Sequence, residues 1–159
     1  MRCLHIRFYG ERALFRNFSM PGADVATSNV RDEAIIGLFG NILGKWRNFN
    51  DATDLSLTSE LKDWVKKHKV TITSIDYFSP EIRLLGQHRY KSIKEFTKEG
   101  ESGPKTLSYH WNVQINIVVL LDEEGSQELI FYLKHPIGTP YLGQSNCLAQ
   151  IELLSEEAI

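Results

Sequence analysis

HWNVQINIVVLL, His110–Leu121, is the stretch that decides how this chain reads. Val113, Ile115, Ile117 and Val119 alternate with Asn112, Gln114 and Asn116. Successive side chains of a strand point to opposite faces, so this one has an apolar face and a polar face. A strand of that kind belongs to a sheet covered on one side only.

Downstream, DEEG (122–125) reads as a turn. SQELIFYLKHP (126–136) places Leu129, Ile130 and Leu133 at helical spacing, with Ser126 to cap and Pro136 to stop, and predicts a helix. NCLAQIELL (146–154) predicts a final strand. Upstream, PEIRLLGQHRYKSIKEFTKEGESGPK (80–105) has mixed character and predicts an irregular, mobile insertion around 83–107. KVTITSIDYF (69–78) is β-branched and aromatic, hence a strand. LTSELKDWVKKH (57–68) is a short amphipathic helix with Leu61, Trp64, Val65 and His68 on one side.

SNVRDEAIIGLFGNILGKW (28–46) reads as a longer helix. Ile35, Ile36, Phe39, Ile42, Leu43 and Trp46 recur at helical spacing, Ser28 or Asn29 can cap it, and Asp32 and Glu33 suit its positive end. Gly37, Gly40 and Gly44 lie within it. An interior glycine costs about 1 kcal/mol against alanine, which close packing on a neighbour would offset. GKW is not a phosphate loop: the glycine spacing is wrong and no Ser or Thr follows Lys45. RCLHIRFYG (2–10) opens the chain as a strand, with Leu4, Ile6 and Phe8 opposing Cys3, His5 and Arg7.

The order strand, helix, strand, strand, helix, strand is the split βαβ arrangement. The expected fold is therefore α+β and ferredoxin-like: one domain over 1–159, with an antiparallel sheet, two main helices and a loop insertion. The open face would carry His5, Arg7, Gln114 and Asn116. Sheets that bind single-stranded RNA usually place aromatics on the central strands. The RNP motif is absent, so no base-stacking platform is expected.

The 159 residues carry a net charge of −2, and this total argues against a nucleic-acid binder. The charge is segregated, however. Residues 1–49 hold seven Lys/Arg against four Asp/Glu, 83–105 hold six against three, and 122–159 hold one against seven. A local basic surface is thus compatible with the total. Cys3 and Cys147 form no CxxC, which fits a reducing cytoplasm and supplies neither a disulfide framework nor a zinc site. No apolar run nears the roughly 20 residues of a membrane span, and the arginine-threaded N-terminus is no secretory signal.

TPYLGQSNC (139–147) is the most suggestive polar stretch. Gly143 would let backbone approach a phosphate, with Gln144, Ser145 and Asn146 donating hydrogen bonds. From the residues alone, a structural turn is the simpler reading. Arg12 and Arg16 could pair with phosphates near Phe15 and Phe18, and Arg89, Tyr90 and Lys91 form a basic-aromatic run. His88 with Tyr90 and Lys91, Tyr109 with His110, and Lys134 with His135 supply residue types for acid–base chemistry, but in no convincing constellation.

Four stretches together resemble one family. GERALFRNF (10–18) is similar to its "G-x-x-A-x-FR" loop, and ATSNVRDEAIIGLFGNILG (26–44) to its lead-in and "GLLGAxLG" helix. QHRYKSI (87–93), followed by YHWNVQINIVVLL (109–121), resembles its "DY" loop and next strand, and HPIGTPYLGQSNC (135–147) its "P-x-YLGR-x-x-C" loop. This is the CRISPR-associated protein five family of the RAMP superfamily, subunits of the type I effector complex, Cascade. The departures are Gln144 in place of arginine and Asn29-Val30 in place of prolines. The resemblance implies a compact cytoplasmic member that holds the 5′ handle of the guide RNA and caps the foot of the complex. Its implied partners are the backbone and large subunits and target DNA near the PAM. The implied RNA contacts are Arg12, Arg16, Ser28, Asn29, Arg89, Tyr90, Lys91, Tyr141, Gly143, Gln144 and Ser145. No catalytic residue, metal or cofactor is expected. The alternatives are a metal-independent endoribonuclease acting on precursor RNA, and an interaction protein that keeps the fold without binding RNA.

Overall fold

A computed structural model describes residues 1–15, 23–45, 57–89, 104–144 and 146–159, with 23–25, 81–89 and 104–107 described by their backbone. The order is β1 (Arg2–Ala13), β2 (Ala23–Val25), α1 (Asp32–Ile42), α2 (Ser59–Lys67), β3 (Thr71–Phe78), β4 (Glu81–Arg89), β5 (Pro104–Leu121), α3 (Glu123–Lys134) and β6 (Gln150–Ala158). β3, β5, β1 and β6 lie side by side, each antiparallel to its neighbour. That is the expected ferredoxin-like sheet. Leu4, Ile6 and Phe8 of β1 and Ile115, Ile117 and Val119 of β5 form one buried cluster with Ile35, Phe39 and Ile42 of α1 and Leu129 of α3. Each such buried side chain contributes about 1.5–3 kcal/mol of transfer free energy. No helix among the described residues is long and apolar enough to cross a membrane.

The ends of the expected insertion are the largest correction, and its middle, 90–103, lies outside the described residues. β5 has 18 residues and starts at Pro104, well before His110. β4 pairs with it antiparallel from Glu81↔Trp111 to Arg89↔Pro104, on the edge that β3 occupies further along. On the other edge β2 adds in parallel, from Ala23↔Thr106 to Val25↔Ser108. Residues 83–89 and 104–107 are thus a two-stranded ribbon continuing the sheet. The sequence hid it because its basic and polar residues lack the alternation of a half-buried strand. Tyr90 and Lys91 lie outside the described residues.

The helix ends also differ. α1 starts at Asp32, with Arg31 at the cap position and no side-chain cap bond, so Ser28 and Asn29 lie outside it. The Asn29 N–H instead donates to Thr27 Oγ1 at 3.1 Å, a local turn that competes with capping. α1 closes with Lys45 N–H donating to Gly40 O and Gly44 N–H to Asn41 O, Gly44 being left-handed at φ 72°. Paired 6→1 and 5→2 bonds about a glycine end a helix without straining a side chain. Gly40 repays its helical cost through packing: a Cβ there would stand 2.6 Å from Leu61 Cδ2 of α2. α3 is capped by Asp122, whose carboxylate accepts from Gly125 N–H at 2.7 Å, so Ser126 lies inside the helix. β6 starts at Gln150, four residues later than expected.

Candidate nucleic-acid interface

Three predicted stretches, distant in sequence, meet at the end of β1. Leu14 N–H donates to Leu142 O at 3.0 Å, and Thr27 N–H donates to Phe15 O at 2.8 Å. The loop 139–147 therefore lies on one side of Leu14–Phe15, and the lead-in to α1, with Ser28 and Asn29 next in line, on the other. The loop is closed by its own bonds, Leu142 N–H to Cys147 O at 2.8 Å and Cys147 N–H to Gln144 O at 2.9 Å. Its start is tied to the end of α1: Ile137 N–H donates to Ile42 O, Gly138 N–H to Asn41 O, and the Asn41 side-chain amide to Thr139 O. Leu142 and Cys147 are fully buried.

The reason for Gly143 is visible here. It has φ 86°, where side chains are disfavoured, and an added Cβ would collide with the Leu14 carbonyl and stand 2.8 Å from Phe15 N. The close backbone approach that the sequence suggested is made to the chain's own backbone. The turn and ligand readings are compatible, because a loop held this closely presents its neighbours in fixed positions.

Those neighbours form a small polar cluster. Arg12 donates from Nε and Nη2 to Asn146 O at 3.3 and 3.2 Å, and its guanidinium lies 5.4 Å from the centre of the Tyr109 ring. The Tyr109 hydroxyl donates to Gln144 Oε1 at 3.3 Å and accepts from Asn146 Nδ2 at 3.4 Å. A cation held over an aromatic ring, with two side-chain amides beside it, can serve a phosphate, a ribose hydroxyl or a base edge. Tyr141 is half-buried and bridges Leu148.

The structure thus brings Arg12, Ser28, Asn29, Tyr141, Gly143 and Gln144 to one end of the sheet. Arg89 is not among them. Its backbone pairs with Pro104 at the far end of the ribbon, five β5 residues from Tyr109, or about 17 Å along the strand. Arg16 and Ser145 lie outside the described residues, as do Tyr90 and Lys91. Tyr109 was missed as the partner of Arg12. β1 pairs Arg12 with Trp111, and Tyr109, two residues along β5, lies on the same face, so register alone brings the two together. No local sequence signal marked it, because the contact depends on the register between two strands distant in sequence.

Beneath this cluster the titratable groups are held in their neutral forms. Burial lowers the pKa of His110 and raises those of Tyr77 and the Cys147 thiol. The Tyr77 hydroxyl lies 2.7 Å from His110 Nδ1, and with both groups neutral the hydroxyl donates to the ring. A depressed histidine favours the fold while it is neutral. Its contribution is fully present above the ordinary value of 6.5 and is lost as pH falls below that toward the folded value. Wild-type stability is therefore expected to fall with pH below about 6.5 more steeply than that of His110→Asn. Chemical denaturation at a series of pH values checks this, and parallel curves would exclude a buried neutral His110. Among the described residues no group of three or more His, Cys, Asp or Glu could hold a metal ion.

No family model matches the sequence, and no curated protein matches it. Solved structures do. A chain of a CRISPR RNA-guided surveillance complex is similar with a TM-score of 0.56 at 15% identity, over 92% of this chain and 59% of that one. A functionally uncharacterized protein, SMU1763c from Streptococcus mutans, is similar with a TM-score of 0.52 at 13% identity, over 98% of this chain and 69% of that one. A Cas protein is similar with a TM-score of 0.50 at 15% identity, over 92% of this chain and 58% of that one. The chain therefore spans about three-fifths of the length of the two CRISPR-associated chains. At these identities what is shared is the backbone architecture, and this chain has the ferredoxin-like fold of solved CRISPR-associated proteins.

Proposed function

We propose that this chain is the guide-RNA-binding foot subunit of a type I CRISPR effector complex, holding the 5′ handle of the RNA. One observation carries the reading: the lead-in to α1 and the loop 139–147 both bond to Leu14–Phe15, within the described part of the stretch 10–18, and these three stretches resemble the family's motifs separately. Fold similarity to a surveillance-complex chain supports a CRISPR-associated role. Arg12 supplies a cation stacked on Tyr109, and Gln144 and Asn146 supply amides at the same place. Backbone and large subunits would bind elsewhere on the surface, and target sequence would be read by the guide through base pairing near the PAM. The reading assigns no RNA cutting. His110 is buried against Tyr77, an unsuitable position for a general base that must reach a substrate proton.

The test is purification of the tagged full chain from its own operon, with sequencing of the RNA that accompanies it. Short guide RNAs with a uniform 5′ end are expected, and Arg12→Ala with Gln144→Ala should lower their yield by about thirtyfold or more, as expected for loss of one charged and one neutral contact. Absence of both RNA and effector subunits would overturn the proposal. Specific cleavage of precursor RNA, lost in His110→Ala, would favour the endoribonuclease instead.

A further inference from the structure

The face of the sheet turned away from the helices carries two aromatic residues that the sequence did not place there. Phe78 and Tyr9 both pair with Gln114, and Tyr9 pairs with Gln150 on its other side. Directly opposed residues share a face, so Phe78, Gln114, Tyr9 and Gln150 form one row across four strands. Phe78 is 62% exposed and Tyr9 40% exposed. With strands about 4.8 Å apart, the two rings stand roughly 10 Å apart with an amide between them.

The adjacent row is Asp76, Asn116, Arg7 and Glu152. Arg7 donates from Nε to Asn116 Oδ1 at 3.0 Å and pairs through Nη1 with Glu152 at 3.3 Å. Asp76 and the exposed Glu11 make no salt bridge among the described residues. Among the described side chains around the two rings there are thus three carboxylates against one guanidinium. Exposed aromatics on such a sheet would ordinarily suggest stacked bases. This charge decides otherwise, because a phosphate backbone laid across the row would be repelled.

We propose that this open face is a docking site for an arginine-bearing segment of a protein partner. A guanidinium can lie flat on Phe78 or Tyr9 while a neighbouring cation pairs with Asp76, and Gln114 and Gln150 offer carbonyl acceptors. The site is separate from the cluster around Arg12, so a partner here and RNA there can be bound together. The inference does not depend on the RNA reading.

The full chain would be titrated with a synthetic Gly-Arg repeat peptide, its Gly-Lys counterpart and oligouridylate, following backbone amide shifts and affinity. The arginine peptide is expected to shift the amides of Tyr9, Asp76, Phe78 and Gln114 and to bind more tightly than the lysine peptide. Phe78→Ala and Asp76→Asn should each weaken it roughly fivefold, while Glu33→Gln, on the exposed start of α1, should leave it unchanged. All three positions are on the surface, and an unchanged unfolding midpoint would show that each variant folds. Three outcomes would overturn the proposal: no peptide binding, equal loss in Glu33→Gln, or oligouridylate shifting the same amides in the peptide's place.

Discussion

Gly143→Ala should lower the thermal midpoint by about 10 °C, the largest effect expected of any single methyl group in this chain. Two costs combine. A non-glycine residue at φ 86° costs about 1–3 kcal/mol. Forcing a methyl against the Leu14 carbonyl costs about 1–3 kcal/mol more, because what it meets is backbone that cannot rotate aside. Gln144→Ala removes one 3.3 Å bond from the Tyr109 hydroxyl and should cost no more than about 1 kcal/mol. Thermal unfolding of the two variants side by side checks the difference, and an unchanged midpoint in Gly143→Ala would show that the loop does not rest on Leu14–Phe15. RNA lost on changing Gly143 would therefore report a displaced loop, whereas RNA lost on changing Gln144 would report a contact.

Asp122→Ala should destabilise the protein by about 2–4 kcal/mol, measured as a lower denaturant midpoint. Its carboxylate caps α3 through Gly125 N–H, a contribution of about 1 kcal/mol. The same oxygen lies 3.0 Å from Nδ1 of His68, which is fully buried at the end of α2. Removing it leaves that ring nitrogen without its partner, at a further cost of about 1–3 kcal/mol. The other ring nitrogen faces Glu128 at 3.7 Å, and Glu128 already accepts from Trp64 Nε1 at 2.7 Å. Asp122→Asn keeps an acceptor for both and should recover most of the loss. The Gly125 N–H, and after it His68, hold the Asp122 carboxyl below its ordinary 3.8. That contribution is complete above 3.8 and is lost as pH falls through the lowered value, so the acid limb of wild-type stability should be steeper than that of Asp122→Asn.

The elements easiest to read were those whose side chains alternate against one buried face. β1 and the second half of β5 gave their faces correctly, since Leu4, Ile6 and Phe8 and Ile115, Ile117 and Val119 do form the core. α3 was legible from the spacing of Leu129 and Leu133, but its cap was not, because Asp122 and Ser126 are both good capping residues and the choice fell to the one that also reaches His68. β4 was illegible: an edge ribbon draws its regularity from backbone pairing with β5, which leaves no mark on side-chain pattern. The aromatic pair on the open face was missed for a related reason. Tyr9 and Phe78 stand at the ends of their apolar runs, and only the register of both strands on Gln114 puts them in one row.

The candidate site divides the same way. Glycine at 143 within a polar loop signalled a backbone approach, but the object of that approach could not be read, because contact between segments at opposite ends of a chain has no local signature. Hydrophobic alternation and element order by themselves determined a ferredoxin-like sheet with one covered face, since those patterns are physical requirements of burying apolar surface. Tertiary structure alone decided which polar residues meet. Arg12 finds Tyr109 through the register of β1 on β5, His68 finds Asp122 through the packing of α2 on α3, and the loop finds Leu14 through the order of strands. Each of these pairings is set by backbone geometry that accumulates over the whole fold.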